Sequence, residues 1–126
     1  MKKKYLLILF IIFLAACSED VTEDYLIGGH WVGTAGYEDE EIEGESQCPP
    51  LDEGMEFKDE DTVYIDAYER DFEYWLLEND DRLIIEFYDK NISLRSYYIT
   101  RISDDEMGFI GIGDIQNGES CYLERK

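Results

Sequence analysis

Short apolar stretches alternate with polar turns along most of this chain. From residue 25 onward, runs rich in Tyr, Ile, Phe, Val and Trp are broken by clusters of Asp, Asn and Gly. No apolar stripe repeats every 3.6 residues, so the pattern is typical of antiparallel β-structure. It predicts an all-β fold, an up-and-down meander of about eight strands that closes into a small barrel, with strands at 31–37, 55–57, 62–68, 72–78, 82–88, 94–102, 107–112 and 121–125.

One hairpin can be predicted in detail because polar residues separate two apolar runs at 79–80. A turn at Asn79 and Asp80 gives three apolar cross-strand pairs on one face, namely Leu76 with Leu83, Tyr74 with Ile85, and Phe72 with Phe87. The opposite face carries Trp75 and Tyr88 among carboxylates. We expect that face either to be partly covered or to bind something.

The first sixteen residues have a different pattern. A basic head, Met1 to Lys4, precedes an unbroken apolar run at 5–16, which is too short to cross a bilayer as a helix. This is typical of a helical secretion signal. The run ends in Leu14-Ala15-Ala16-Cys17, which resembles the lipobox of bacterial lipoproteins. The resemblance implies that residues 1–16 are removed and that Cys17 carries the lipid anchor; the alternative is an ordinary signal with an incidental cysteine.

Residues 17–24 form an acidic tether in this interpretation. Ser18-Glu19-Asp20 followed by Glu23-Asp24 resembles the export signal that sends lipoproteins of the Bacteroidota to the outer face of the outer membrane. We therefore expect a lipid-anchored protein of the outer membrane, exposed on the cell surface or facing the periplasm. Residues 25–126 remain for the barrel, which is enough for one domain.

The chain is strongly acidic, with 31 Asp and Glu against 11 Lys and Arg and a net charge of -20. Nucleic acid and anionic membrane surfaces would repel such a protein, so neither is expected as a binding partner apart from the lipid tether. Two explanations of the charge stay open. It can simply keep the domain soluble, or it can attract a basic partner.

Once Cys17 is lipidated, Cys48 and Cys121 are the two remaining cysteines. An even pair outside the cytoplasm predicts a disulfide. Closure of the meander by pairing of its first and last strands would bring the end of the first loop near the last strand, and so make these cysteines neighbours. No CxxC spacing suggests redox work, and a single histidine excludes a typical zinc site.

Motifs for catalysis are absent from the sequence. It contains no G-x-S-x-G, no phosphate-binding glycine loop, no HExxH and no EF-hand loop. Its carboxylate pairs fall where turns are expected, and His30, its one histidine, lies beside Trp31 at the start of the first predicted strand. We therefore predict no catalytic residues, no metal and no cofactor.

Gly29-His30-Trp31 at the start of the first strand and Tyr122-Leu123-Glu124-Arg125 in the last strand resemble the small lipocalin-like domains of Bacteroidota lipoproteins. The resemblance covers about residues 25–126. It implies that Trp31 closes one end of the barrel and that Arg125 packs on it, with Gly29 as the glycine of the motif. These roles are structural.

The long first connection, Glu38 to Gly54, contains Glu38, Asp39, Glu40 and Glu41. We predict a mobile acidic loop, fixed only at the disulfide, which could contact a partner together with the open end of the barrel. The sequence favours a non-enzymatic binding or structural module whose ligand is an apolar small molecule, a glycan or an envelope protein. Its rival is an acidic inhibitor of a basic enzyme such as a lysozyme.

Overall fold

The computed structural model describes residues 21–113 and 119–126. The predicted all-β fold is confirmed: eight strands follow one another in an antiparallel meander and close a barrel. The predicted signal helix lies outside the described residues. The elements are α1 Glu23–Leu26, β1 Trp31–Ala35, β2 Tyr37–Glu38, β3 Glu41–Ile42, a 3-10 helix Leu51–Glu53, β4 Met55–Phe57, β5 Thr62–Ile65, a 3-10 helix Asp66–Tyr68, β6 Arg70–Asn79, β7 Arg82–Asp89, β8 Ile92–Ser103, β9 Glu106–Gly111 and β10 Ser120–Arg125.

The barrel runs in the order β4 to β10 and then β1, while β2 and β3 form a separate hairpin. The first and last strands pair as predicted, with Trp31 opposite Arg125. By contrast, β1 meets β4 through the single pair Trp31 and Met55. The wall is therefore weakest at this seam. We call the end with α1 and the β8–β9 turn the helix end, and the opposite end, with the β7–β8 turn, the loop end.

Side chains fill the barrel interior. Alternate residues of each strand point inward, as in other closed sheets whose core lies inside. The largest of the fully buried side chains are Trp31, Tyr74, Tyr97, Phe57, Phe87, Phe109, Leu26, Leu51, Met55, Ile65, Ile85 and Met107. The interior is thus a packed aromatic and aliphatic core.

The β6–β7 hairpin turns one residue later than predicted. Its turn is Asp80 and Asp81, and Tyr74 lies opposite Phe87. Both turn residues have positive φ, 51° and 65°, which a tight two-residue hairpin turn requires and which Asp tolerates. The predicted pairs are therefore wrong by two residues. The inward face was predicted correctly, because a shift of two keeps every side chain on its side.

Two predicted strands end early. The first breaks at Gly36, whose amide donates to Gly44 O at 3.0 Å. A Cβ at this position would lie 2.4 Å from Glu43 O, so the close approach of the returning chain requires glycine. The strand predicted at 62–68 ends at Ile65 and continues as the 3-10 helix Asp66–Tyr68.

Candidate functional site

The chain enters the fold at the helix end. Cys17, the predicted lipidation site, lies outside the described residues. Val21 is buried in the core, and α1 begins two residues later, capped by Thr22 Oγ1, which accepts from Tyr25 N at 3.2 Å. Residues 21–24, assigned from sequence to the tether, therefore pack with the rest of α1 over this end. We call the segment 21–28 the lid.

The predicted structural residues Gly29, Trp31 and Arg125 meet at the helix end. The Arg125 guanidinium lies 4.5 Å from the centre of the Trp31 ring and donates to the carbonyls of Tyr25 and Gly28 at 2.8 and 3.0 Å. Trp31 Nε1 donates to Leu26 O at 3.0 Å. Gly29 has φ +80°, and a Cβ there would lie 2.6 Å from the Arg125 side chain. This clamp holds α1 on the barrel.

Cys48 and Cys121 lie at disulfide distance, as predicted, with their Cα atoms 5.7 Å apart. Both are fully buried. Around them the segment 46–54, which we call the strap, crosses the seam between β1 and β4. Gln47 N donates to Ser120 O at 2.9 Å, and Leu51 enters the core. The strap replaces the strand pairing that β1 and β4 lack.

The four acidic residues of the first connection lie on the β2–β3 hairpin. The sequence predicts an irregular loop here, whereas the structure has a regular hairpin. Glu38 pairs with Glu41, while Asp39 and Glu40 make the turn with φ of 50° and 64°. All four are exposed. We call Glu38 to Glu41 the acidic turn.

Tyr37 attaches this hairpin to the outer flank of the barrel. It is buried against β9, where a Cβ at Gly108 would lie 2.5 Å from its ring. Burial, helped by the nearby Glu40 carboxylate, raises the pKa of the Tyr37 phenol. The acidic turn therefore belongs to a hairpin on the flank over β9 and β10.

An ion pair that the sequence analysis missed fills part of the loop end. Arg95 Nη1 lies 2.9 Å from Glu119 Oε1, which also accepts from Tyr97 OH at 3.0 Å. Burial is the main cause that raises the Tyr97 pKa. The signal available in the sequence was the position of Arg95, in phase with the inward-facing Tyr97 and Ile99 of β8. A cation at such a position requires a buried partner.

His30 forms another contact absent from the sequence analysis. Its Nε2 lies 2.8 Å from Asp66 Oδ2, and both side chains are partly exposed. A Cβ at Gly54 would lie 2.8 Å from the imidazole, so the glycine makes room for the ring. The pair ties the start of β1 to the 3-10 helix Asp66–Tyr68, which is a structural role.

A cleft of about 530 Å³ opens on the flank at the helix end. Pairing between β7 and β8 stops at Ile84 and Tyr98, so the tip of the β6–β7 hairpin separates from β8. Val21 and Thr22 line the gap together with Arg82, Leu83 and residues 98–101 of β8. The cleft is thus the place where the N-terminal segment enters.

Within residues 21–113 and 119–126, no helix is long and apolar enough to cross a membrane. In the same ranges, no group of three or more His, Cys, Asp or Glu side chains is placed to hold a metal ion. The described residues form a packed barrel whose charged side chains lie on the surface, where another molecule could bind.

No protein-family model, curated protein or solved structure matches this chain. The resemblance to lipocalin-like lipoproteins therefore stays a prediction from the residues that carry it.

Proposed function

We propose that this protein is a membrane-anchored lipoprotein of the cell envelope, of the lipocalin-like type, and that its barrel is a non-enzymatic binding module acting through its outer surface. The observation that carries the proposal is the filled interior. Trp31, Tyr74, Tyr97 and the other large core side chains occupy the space that an enclosed apolar ligand would need. Of the ligand classes considered from sequence, an envelope protein or a glycan on the outside fits this barrel best.

The anchor completes this picture. Lipid on Cys17 would hold the domain at the outer membrane, because two or more acyl chains bind a bilayer almost permanently. Four residue steps separate Cys17 from Val21, and extended chain covers at most about 3.6 Å per residue. The helix end would then lie within about 14 Å of the lipid, and the loop end would face away from the membrane.

Membrane fractionation tests the anchor. Cys17→Ser should leave the protein unprocessed or release it from the membrane, because no thiol remains for the lipid. Ser18→Ala, the next residue, serves as the control and should stay membrane-bound. Normal cleavage and full membrane retention of Cys17→Ser would contradict the proposal.

The absence of catalysis is supported by where the titratable groups lie. His30 is engaged with Asp66, and the acidic pairs Asp80-Asp81 and Asp104-Asp105 occupy exposed turns. Solvent surrounds these turns, whereas catalytic groups usually sit in enclosed clefts. Robust turnover of any substrate that disappears on mutation of one carboxylate would contradict this part of the proposal.

The acidic turn favours a second candidate function, inhibition of a basic enzyme such as a lysozyme. It is exposed on a hairpin that Tyr37 fixes to the barrel, so it could reach into a cationic cleft with little loss of entropy. Neutralising its four carboxylates should slow association with a basic enzyme and flatten the dependence on salt. The matched control neutralises four exposed carboxylates elsewhere: Glu60, Glu78, Asp80 and Asp81. Equal loss in both variants would indicate general attraction by net charge and no specific inhibitory turn.

A further inference from the structure

The outer face of β6, β7 and β8 carries an apolar row whose β6 side chains, Trp75 and Leu77, are exposed, while Ile84 is buried beside them. Leu77, Ile84 and Tyr98 lie side by side on three neighbouring strands, in direct register. One step toward the loop end, Trp75 is 55% exposed, among the largest exposures of an aromatic side chain in the described chain. Trp75 and Leu77 are thus neighbouring exposed apolar side chains on one face of β6, and exposed apolar patches commonly mark contact surfaces. We call this surface the Trp75 face.

Carboxylates surround the aromatic rings of this face. Glu86 lies directly opposite Trp75 in the strand pairing, and Glu73 lies opposite Tyr88. The Trp75 and Tyr88 ring centres are 5.5 Å apart, and the Tyr88 hydroxyl donates to Glu86 Oε2. That hydrogen bond is the main cause that raises the Tyr88 pKa. Among the described residues, neither Glu73 nor Glu86 forms an ion pair with a lysine or arginine, unlike Asp71 and Asp89 nearby.

We infer that the Trp75 face docks a lysine or arginine side chain from a basic protein partner. An exposed tryptophan ring attracts a cation through its π face, and adjoining carboxylates accept hydrogen bonds from the same group. The same kind of contact occurs within the chain on this side of the barrel, where the Arg82 guanidinium lies 3.4 Å from the centre of the Tyr98 ring. This inference rests on the proposed binding function and names its surface and its partner.

Charge selects among the occupants of this face. The chain carries a net charge of -20, so a second copy would be repelled, whereas a basic protein would be drawn in from a distance. A glycan could also stack on Trp75, but it would gain nothing from the net charge. The two carboxylates flanking the rings therefore favour the cationic partner.

Tryptophan fluorescence of the full chain in detergent micelles provides the test. Of the two tryptophans, Trp31 is fully buried, so a change on titration reports Trp75. The probes are a short peptide of alternating lysine and glycine, its arginine counterpart, and a glutamate counterpart as the control. We expect a saturable change with the two basic peptides that weakens as salt is added, and none with the glutamate peptide.

Variants locate the site, with affinity for the lysine peptide measured by calorimetry. Trp75→Leu should weaken binding by about 2- to 5-fold, the range that cation–π contacts give at exposed sites. Glu86→Gln should weaken it by up to about 5-fold, the range of exposed charge pairs. Tyr68→Leu removes another exposed aromatic and Glu60→Gln removes another single charge. Both controls should leave the affinity unchanged.

Other outcomes overturn the inference and separate it from the proposed function. Binding that survives Trp75→Leu but is lost when the acidic turn is neutralised would move the site to that turn and leave a binding module. A fluorescence change with a neutral oligosaccharide, and none with the basic peptides, would make the face a glycan site. Absence of any response to the basic peptides also overturns the inference, whereas the anchor proposal fails only in the Cys17→Ser fractionation.

Discussion

Arg125 connects three segments that are distant in the sequence. Its guanidinium donates to backbone carbonyls of α1 and the following turn, stacks on Trp31, and lies 3.1 Å from Asp105 at the β8–β9 turn. A side chain without such donors would leave the partly buried Tyr25 carbonyl unpaired, which costs more than the loss of a surface ion pair.

Replacement of this guanidinium should therefore destabilise the fold. Arg125→Met is expected to lower the free energy of unfolding by about 2–4 kcal/mol, because charged hydrogen bonds are lost and carbonyls stay unsatisfied. Urea denaturation measures the difference. Lys126→Met removes the same charge from the exposed neighbouring residue and should change little. Equal small losses in both variants would show that the clamp does not stabilise the lid.

The Tyr25 phenol gives a prediction for alkaline pH. Its single hydroxyl hydrogen is shared between Ser103 O and Glu106 O, which lie 2.7 and 2.8 Å from the phenol oxygen, and burial raises the Tyr25 pKa from 10.0 to about 12. The folded state therefore holds the proton more tightly than the unfolded chain. The resulting stabilisation is complete below pH 10 and is lost as the pH rises from 10 through about 12.

Urea denaturation over this pH range tests the effect. Tyr25→Phe should be less stable at neutral pH, because the hydroxyl that donates to the two carbonyls is gone, but its stability should decline less steeply above pH 10. A decline as steep as in the parent protein would mean that other buried tyrosines, such as Tyr74 and Tyr97, account for the alkaline loss.

Among the larger elements, the strap depends on its disulfide. Cys48 and Cys121 are 73 residues apart, and closing a loop of this size commonly contributes about 2–5 kcal/mol. Replacing both by alanine should cost about that much. Hydrogen exchange should show faster exchange at Gln47 and Asp52, whose amides donate within the strap region, while α1 stays protected. Uniform loss of protection across the barrel would show that the strap is not a separate unit.

The attachment of the acidic hairpin depends on one close contact. Because a Cβ at Gly108 would lie 2.5 Å from the Tyr37 ring, Gly108→Ala should displace the hairpin and cost about 1–3 kcal/mol. In a Tyr37→Ala background the same change should cost almost nothing. Denaturation of the four proteins in this double-mutant cycle measures the coupling. Additive losses would show that the ring does not rest on Gly108.

The sequence predicted the positions of the strands better than the contacts between residues that are distant in the sequence. Alternation of apolar residues determined which face of β6 points inward, but the turn position depended on whether Asn79 or Asp81 adopts positive φ, and either residue type can do so. The pairing of Cys48 with Cys121 followed from counting. The strap, the Tyr37 contact and the Arg95–Glu119 pair depend on segments distant in sequence, which no local pattern specifies.

The whole molecule carries far more negative than positive charge, and this self-repulsion opposes folding. Raising NaCl toward about 1 M shortens the Debye length to about 3 Å and screens the repulsion. We therefore expect the urea midpoint to rise with salt, and to rise less when the acidic turn is neutralised. A midpoint that falls with salt would mean that ion pairs such as Arg95–Glu119 outweigh the repulsion.

Strand β10 carries both Cys121 and Arg125, the residues that hold the strap and the lid on the barrel. Cys121, near one end of β10, holds the strap, and Arg125, at its other end, holds the lid. Neither can engage before β10 has been made, and until then β1 and β9 both present open edges. Both the disulfide to the strap and the Arg125 clamp therefore form only once β10 has paired with β1 and β9. Because one strand holds the contacts at both ends, closure of the barrel, formation of the disulfide and docking of α1 should be coupled events in folding.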